Sequence, residues 1–242
     1  MAHGAPDDSN IVKQGDVFRL DDMGELAARL GSPVAFIRSG DVLFLEDFAC
    51  GINGWNIAWV PADANILPSN ERVVTSGVSC YLVSGTGDNP IATLRKLFPV
   101  PRVSKLGLAV TFSIGADGRR FQFGVGYQDG THVYDFTIRY DHALETLGYI
   151  DIGGAQVTIA SPVVLSELSN NRNILKLVVD LETGCYERVY LNSVEYSLAG
   201  LGGYVLDEDD PARISLHCMV WGDGIVATEM WVDSVVLTCN EF

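Results

Sequence analysis

Basic residues are scarce in this sequence. Lys and Arg number 16 against 31 Asp and Glu, and the formal charge is −15. That balance disfavours nucleic acid and anionic membranes as partners, because both are held by clustered Lys and Arg. No apolar stretch approaches the ~20 residues that a membrane-spanning helix needs. The opening MAHGAPDDSN is polar and acidic, with neither the basic segment nor the apolar segment of a secretory signal, which predicts a protein made in the cytosol without an export signal. The five cysteines, Cys50, Cys80, Cys185, Cys218 and Cys239, form no CxxC and no Cys/His metal spacing, which argues against structural zinc. Reduced, mostly buried thiols are the simplest reading. Should a disulfide form, Cys50 and Cys239 are the first pair to check. Gly-x-Ser-x-Gly, His-Glu-x-x-His, a phosphate-binding loop and a dinucleotide fingerprint are all missing. The four histidines are scattered, so each is first a structural or surface residue.

Apolar material is plentiful. The hydrophobic fraction is 48% of 242 residues, enough for a real core and against disorder. Residues 1–20 lack periodicity and predict an arm. RLDDMGELAARLGS follows, with Asp21 or Asp22 as the N-cap of a short helix and Gly31 at its C-terminal cap. Leu26, Ala27 and Leu30 make one apolar stripe on it. Two and a half turns are not stable alone, so this stripe predicts docking or oligomerisation. PVAFIRSGDVLFLEDF then predicts two short strands about Arg38–Asp41.

From about residue 42 the pattern is β. KLGLAVTFSI, RFQFGVGY and THVYDFTIRY alternate apolar with polar or small residues, and ILKLVVDL, CYERVYL, ARISLHCMVW and EMWVDSVVLT read as further strands. Such alternation predicts one buried and one wet face. Ala116-Asp117-Gly118, Gln128-Asp129-Gly130, Glu182-Thr183-Gly184 and Gly222-Asp223-Gly224 mark turns between them. The predicted fold is all-β: an antiparallel two-sheet jelly-roll sandwich over 42–242, preceded by an arm, helix and hairpin start over 1–41. The acidic run LDEDDP at 206–211 reads most simply as a solvated loop, with a site for a hard cation as the alternative.

EDFACGINGW near the start of this domain and MWVDSVVL at its end resemble the concanavalin-like jelly-roll modules, which include carbohydrate-binding modules and laminin-G-like lectin domains. The resemblance covers roughly residues 42–240. It implies that the first and last strands pair, bringing Glu46 or Asp47 toward Asp233. Adjacent buried carboxylates repel unless compensated. A structural Ca²⁺, which many such modules carry near that position, and ordinary hydrogen bonds are both open. The acidic arm, capped helix and small hairpin resemble the N-terminal segments of tailed-phage virion proteins. That resemblance implies a decoration or fibre-type protein on the virion surface, homotrimeric and seated on a capsid protein or other virion component.

Candidate chemistry is limited. Jelly-roll glucanases carry Glu-x-Asp-x-x-Glu on one strand, and this sequence lacks it. Glu229 and Asp233, four apart on one strand, are the best acid–base pair available. The better candidate is a glycan-binding sheet face built from Gln122, Asp135, Arg139, Arg213, His217 and Trp221, where an aromatic ring stacks on a sugar and polar groups fix its hydroxyls. Trp55 and Trp59 read as core, edge or loop platform, with packing favoured. The expectation is therefore a non-enzymatic virion surface protein displaying a lectin-like domain. A free carbohydrate-binding module or lectin is the alternative, and a jelly-roll glycoside hydrolase the third.

Overall fold

A computed structural model describes residues 40–241, except 61–62, 74–76, 101–104, 169–170 and 210. The stripe Leu26, Ala27 and Leu30, with the arm and the helix, lies outside the described residues. Within them there are sixteen strands and no helix; accordingly, no described helix is long and apolar enough to cross a membrane.

The strands form two antiparallel sheets. One, sheet A, runs β13 (Val194–Gly202), β12 (Cys185–Leu191), β11 (Asn173–Asp180), β6 (Lys105–Ile114), β16 (Glu229–Cys239), β4 (Ser79–Val83), β3 (Asn65–Ser69), with β1 (Asp41–Glu46) also on β16. The other, sheet B, runs β10 (Gln156–Ala160), β9 (Thr146–Ile150), β8 (His132–Asp141), β7 (Arg120–Gln128), β15 (Arg213–Trp221), β5 (Ile91–Pro99), β2 (Asn56–Val60), with β14 (Tyr204–Asp207) also on β8. This is the antiparallel two-sheet sandwich that the alternation predicted.

The period of two explains the core. Leu106, Leu108, Val110, Phe112 and Ile114 of β6 face Phe121, Phe123 and Val125 of β7, and the rings of Phe112 and Phe123 meet at 4.5 Å between the sheets. Burying such side chains stabilises by roughly 1.5–3 kcal/mol each. One expectation needs correcting: the outward face of sheet A is not wet along its centre. Ala109, Thr111 and Ser113 of β6 are buried as fully as their core neighbours. These positions hold small residues because other groups lie close: Ser113 Oγ donates to the carbonyl of Asn171, and the Glu241 carboxylate reaches over Gly107.

The first and last strands do pair, with Asp41 opposite Cys239 and Glu46 opposite Val235. The same register separates Cys50 from Cys239. Cys239 sits at the start of β1 and Cys50 lies beyond its end, at least ~17 Å away along the strand and out of disulfide reach. All five cysteines are free.

Candidate functional site

The acid at the end of β1 is spent on its own turn. Glu46 Oε1 accepts the Phe48 N–H at 3.0 Å and Oε2 accepts the Trp55 indole N–H at 3.1 Å. Phe48 adopts the left-handed conformation, φ 59°, and is fully buried against Trp55. Glu46 thus offsets the strain of that residue and closes the 47–55 turn over the sandwich edge. Trp55 is core, whereas Trp59 is exposed on the edge strand β2. Asp47 caps its own turn, accepting the Ala49 N–H at 3.0 Å. Asp233 is fully buried at the β-bulge between Val232 and Ser234, where its charge acts on Arg172. Strand pairing sets Glu46 opposite Val235, two residues along β16 from Asp233, while the hydrogen bonds of Glu46 and Asp47 go to their own turn. Among the described residues no group of three or more His, Cys, Asp or Glu is placed to hold a metal ion. Glu46→Ala is expected to cost about 1–2 kcal/mol, because it orphans the Trp55 donor, and to red-shift the tryptophan emission on thermal unfolding curves recorded side by side with wild type.

Glu229 and Asp233 share the outer face of sheet A, with Trp231 between them. The Tyr81 hydroxyl donates to Glu229, and the Arg72 guanidinium lies 4.2 Å above the Trp231 ring. This pair belongs to the sheet opposite the cleft described next.

That cleft lies on the outer face of sheet B. It encloses about 540 Å³, within the range of roughly 300–1,000 Å³ usual for ligand sites. The register makes its floor a lattice. Ser215, Gly126, Asp135 and Tyr204 form one row across β15, β7, β8 and β14. Arg95, His217, Gly124 and Thr137 form the next, across β5, β15, β7 and β8. Thr93, Met219, Gln122 and Arg139 form the third. Rows are spaced roughly 7 Å and strands roughly 4.8 Å apart. Tyr204 and Leu206 of β14 and the turn at Gly153–Gly154 make one wall.

Four of the six predicted face residues meet here: Gln122, Asp135, Arg139 and His217. Arg213 and Trp221 share the face but lie outside the cleft. Arg213 sits one step beyond Ser215, opposite Gln128; Trp221 sits one step beyond Met219, opposite Arg120. A common face was readable from the period of two, but the ends of the cleft are set by β14 and the 151–155 turn. The aromatic ring in the lining is Tyr204, which sequence reasoning missed. Its only sequence signal is Gly202-Gly203 before it, and the close approach of Gly203 to the Phe136 ring explains that glycine.

In the sequence Gly124 and Gly126 read only as small residues alternating with apolar ones. In the fold they create the trough. A Cβ on Gly124 would lie 2.3 Å from the His217 ring, and one on Gly126 would lie 2.5 Å from the Ser215 hydroxyl. His217 therefore leans across the floor to Thr137, with Nε2 to Oγ1 at 3.1 Å. The Thr137 hydroxyl donates to Asp135 at 2.9 Å, so it accepts the Nε2 proton and leaves Nδ1 as the acceptor of the ring. Burial holds the His217 pKa below its ordinary value near 6.5. Asp135 pulls it up and Arg95 pushes it further down. As pH falls through that value the unfolded chain takes the proton first, so stability falls until folded His217 also protonates. As pH falls from about 7.5 through the ordinary histidine value, wild type is expected to lose more stability than His217→Gln in urea unfolding; parallel profiles would exclude this assignment.

No protein-family model matches the chain, and no curated protein matches it. Solved structures do. A conserved carbohydrate esterase from the Shiga toxin-encoding bacteriophage phi24B is 12% identical with a TM-score of 0.58, over 84% of this chain and 100% of that one. A Bacillus subtilis protein of unknown function with a galectin-like fold is 12% identical with a TM-score of 0.53, over 83% and 97%. Peanut lectin is 13% identical with a TM-score of 0.50, over 82% and 97%. At these identities the likeness is one of fold: the chain is built like the lectins and galectin-like proteins.

Proposed function

We propose that this protein binds glycan in the sheet B cleft, without catalysis, and that it is displayed on a virion. The observation that carries the binding reading is the lattice itself. Two glycines open a trough whose walls offer a tyrosine ring, amide and hydroxyl groups, and charged groups at sugar-sized spacing.

The chemistry of the lining supports binding over turnover. Paired-carboxylate hydrolysis needs two acids flanking the bond, and among the described residues Asp135 is the one carboxylate of the lining. An ester-cleaving serine needs a base on its hydroxyl. Ser215 accepts from Arg95 at 3.3 Å, while His217 is engaged by Thr137. The phage esterase resembles this chain in fold, and its activity is a property of that protein. Virion display rests on the N-terminal segment described from sequence and on finding this sandwich in a phage protein.

A glycan array followed by calorimetry tests the binding reading. Gly124→Val is expected to displace His217 from the floor and weaken binding at least tenfold, with the thermal midpoint held within a few degrees. Wild-type affinity in that variant would move the site elsewhere, and an array with no hits would end the glycan reading. For display, light scattering on the full chain and on a chain starting near residue 41 is expected to give a trimer and a folded monomer. A monomeric full chain would remove residues 1–40 as the trimerising device.

A further inference from the structure

We propose that the sugar selected by this cleft is acidic, with the carboxylate of a uronic acid residue held between Arg139 and Gln122 on one side and facing Arg95 across the floor. The inference rests on the glycan-binding reading above and adds the chemical class of the ligand.

Its ground is an imbalance of charge. In a chain of 31 acids and 16 bases, two arginines line the cleft against one aspartate among the described residues. Four basic side chains elsewhere meet carboxylates, Lys105 with Glu187, Arg119 with Asp223, Arg120 with Asp141 and Lys176 with Glu241, while Lys96 and Arg72 donate to backbone carbonyls. The cleft arginines are held by neutral acceptors instead. Arg95 Nη2 donates to the Ser215 hydroxyl at 3.3 Å, and Arg139 Nη1 donates to the Gln156 carbonyl oxygen at 3.2 Å. Among the described residues neither forms an ion pair. Asp135 pairs with neither: its Cα lies four residues from that of Arg139 on β8, roughly 13 Å, and three strands and one row from that of Arg95, roughly 16 Å.

The third row of the lattice adds a second observation. Gln122 and Arg139 face each other across β7 and β8. Gln122 is 4% exposed, yet its Nε2 has no acceptor, and Arg139 Nε is likewise buried without one. Orphaned buried donors are costly and rare in folded proteins. Arg172 and Trp231 also carry such donors away from the cleft, but Gln122 and Arg139 sit opposite each other in its lining, where one bound acceptor would serve both. A carboxylate has two oxygens that accept from a guanidinium in its own plane, a match that a sugar hydroxyl does not make. Burial and the neighbouring Arg120 oppose the positive charge at Arg139, and Asp141 partly offsets them.

The test is calorimetry of the full chain with oligomers of galacturonic, glucuronic, mannuronic and guluronic acid. Neutral gluco- and galacto-oligomers of the same length and dextran sulfate are the comparison arms. At least one uronic oligomer is expected to bind tenfold or more above every neutral one, and the difference is expected to shrink as salt is raised. Arg139→Gln and Arg95→Gln are each expected to remove that preference with the thermal midpoint retained. Arg213→Gln, outside the cleft, is expected to leave it unchanged. Neutral oligomers binding as well as acidic ones would overturn the acidic class and leave the glycan reading standing. Binding to dextran sulfate alone, or equal loss in Arg213→Gln, would reduce the effect to a sulfate site or to general surface charge and would equally overturn it. No binding in any arm would end both readings.

Discussion

Replacing Tyr186 by phenylalanine is expected to cost about 2–4 kcal/mol of stability and to weaken ligand binding, although the residue belongs to the sheet opposite the cleft. Tyr186 rises from β12 through the core and is fully buried. Its ring packs edge-on against Phe136 and Tyr149, with centroids 5.3 Å away in each case. Its hydroxyl reaches the backbone of sheet B. It donates to the Ile150 carbonyl at 2.9 Å, lies 3.3 Å from the Thr137 carbonyl, and accepts the Thr137 N–H at 2.8 Å. The reason lies in the register. Along β8 the neighbouring strand changes from β14, which ends its pairing at Asp135, to β9, which begins at Ile138. Thr137 falls in that gap, and the tyrosine hydroxyl replaces the missing strand. Phenylalanine fills the same volume but leaves a buried N–H and a buried carbonyl without partners, at about 1–3 kcal/mol each. Because Thr137 anchors His217, the cleft should loosen with it. Urea unfolding and calorimetry on one preparation check both effects. A loss of stability under ~1 kcal/mol would mean that the gap is bridged another way.

The second large effect is expected at the end of the described chain. Removing the carboxylate of Glu241, by Glu241→Ala, should cost about 3–5 kcal/mol, as breaking a buried ion pair does. Glu241 follows β16 and turns back over β6, where its N–H meets the Lys105 carbonyl at 3.3 Å. Its carboxylate lies 2.7 Å from Lys176 Nζ on β11, with side chains 0% and 2% exposed. The Thr238 hydroxyl also donates to it. Gly107 is the strand position that admits this arrangement, since a Cβ there would sit 2.4 Å from both Glu241 Oε1 and Thr238 Oγ1. Leaving Lys176 buried without its partner is the source of the cost, so the loss should be largely recovered in Glu241→Leu with Lys176→Met, where no charge remains. Denaturant midpoints for the single and double variants check this. A double variant as weak as the single ones would assign the effect to tail packing rather than to charge.

Much of the sandwich was readable without coordinates. β6 and β12 begin and end where alternation placed them, and β7, β8, β11, β15 and β16 do so within about a residue, because a half-buried strand must alternate and the turns carried Asp and Gly. The same period put Gln122, Asp135, Arg139 and His217 on one solvent-facing surface, since residues two apart on adjacent strands share a side. Arg213 and Trp221 were indistinguishable from them on that basis. A strand's period says which face a residue takes but not where along the face a ligand can sit.

That boundary was decided in three dimensions. Tyr204 enters through β14, a four-residue strand paired with a partner some seventy residues earlier in the sequence, and no local pattern encodes such a distant pairing. Gly124 and Gly126 became a trough only once His217 and Ser215 were laid across them. Glu46 and Asp233 looked like a shared site because each is an acid in an apolar strand, yet the backbone and indole donors that hold Glu46 come from the 47–55 turn, which no strand period describes. Local periodicity and turn chemistry determine strands and faces from neighbours in sequence. Clefts, clasps and charge imbalances depend on which distant strands meet, and only the tertiary structure brings those together.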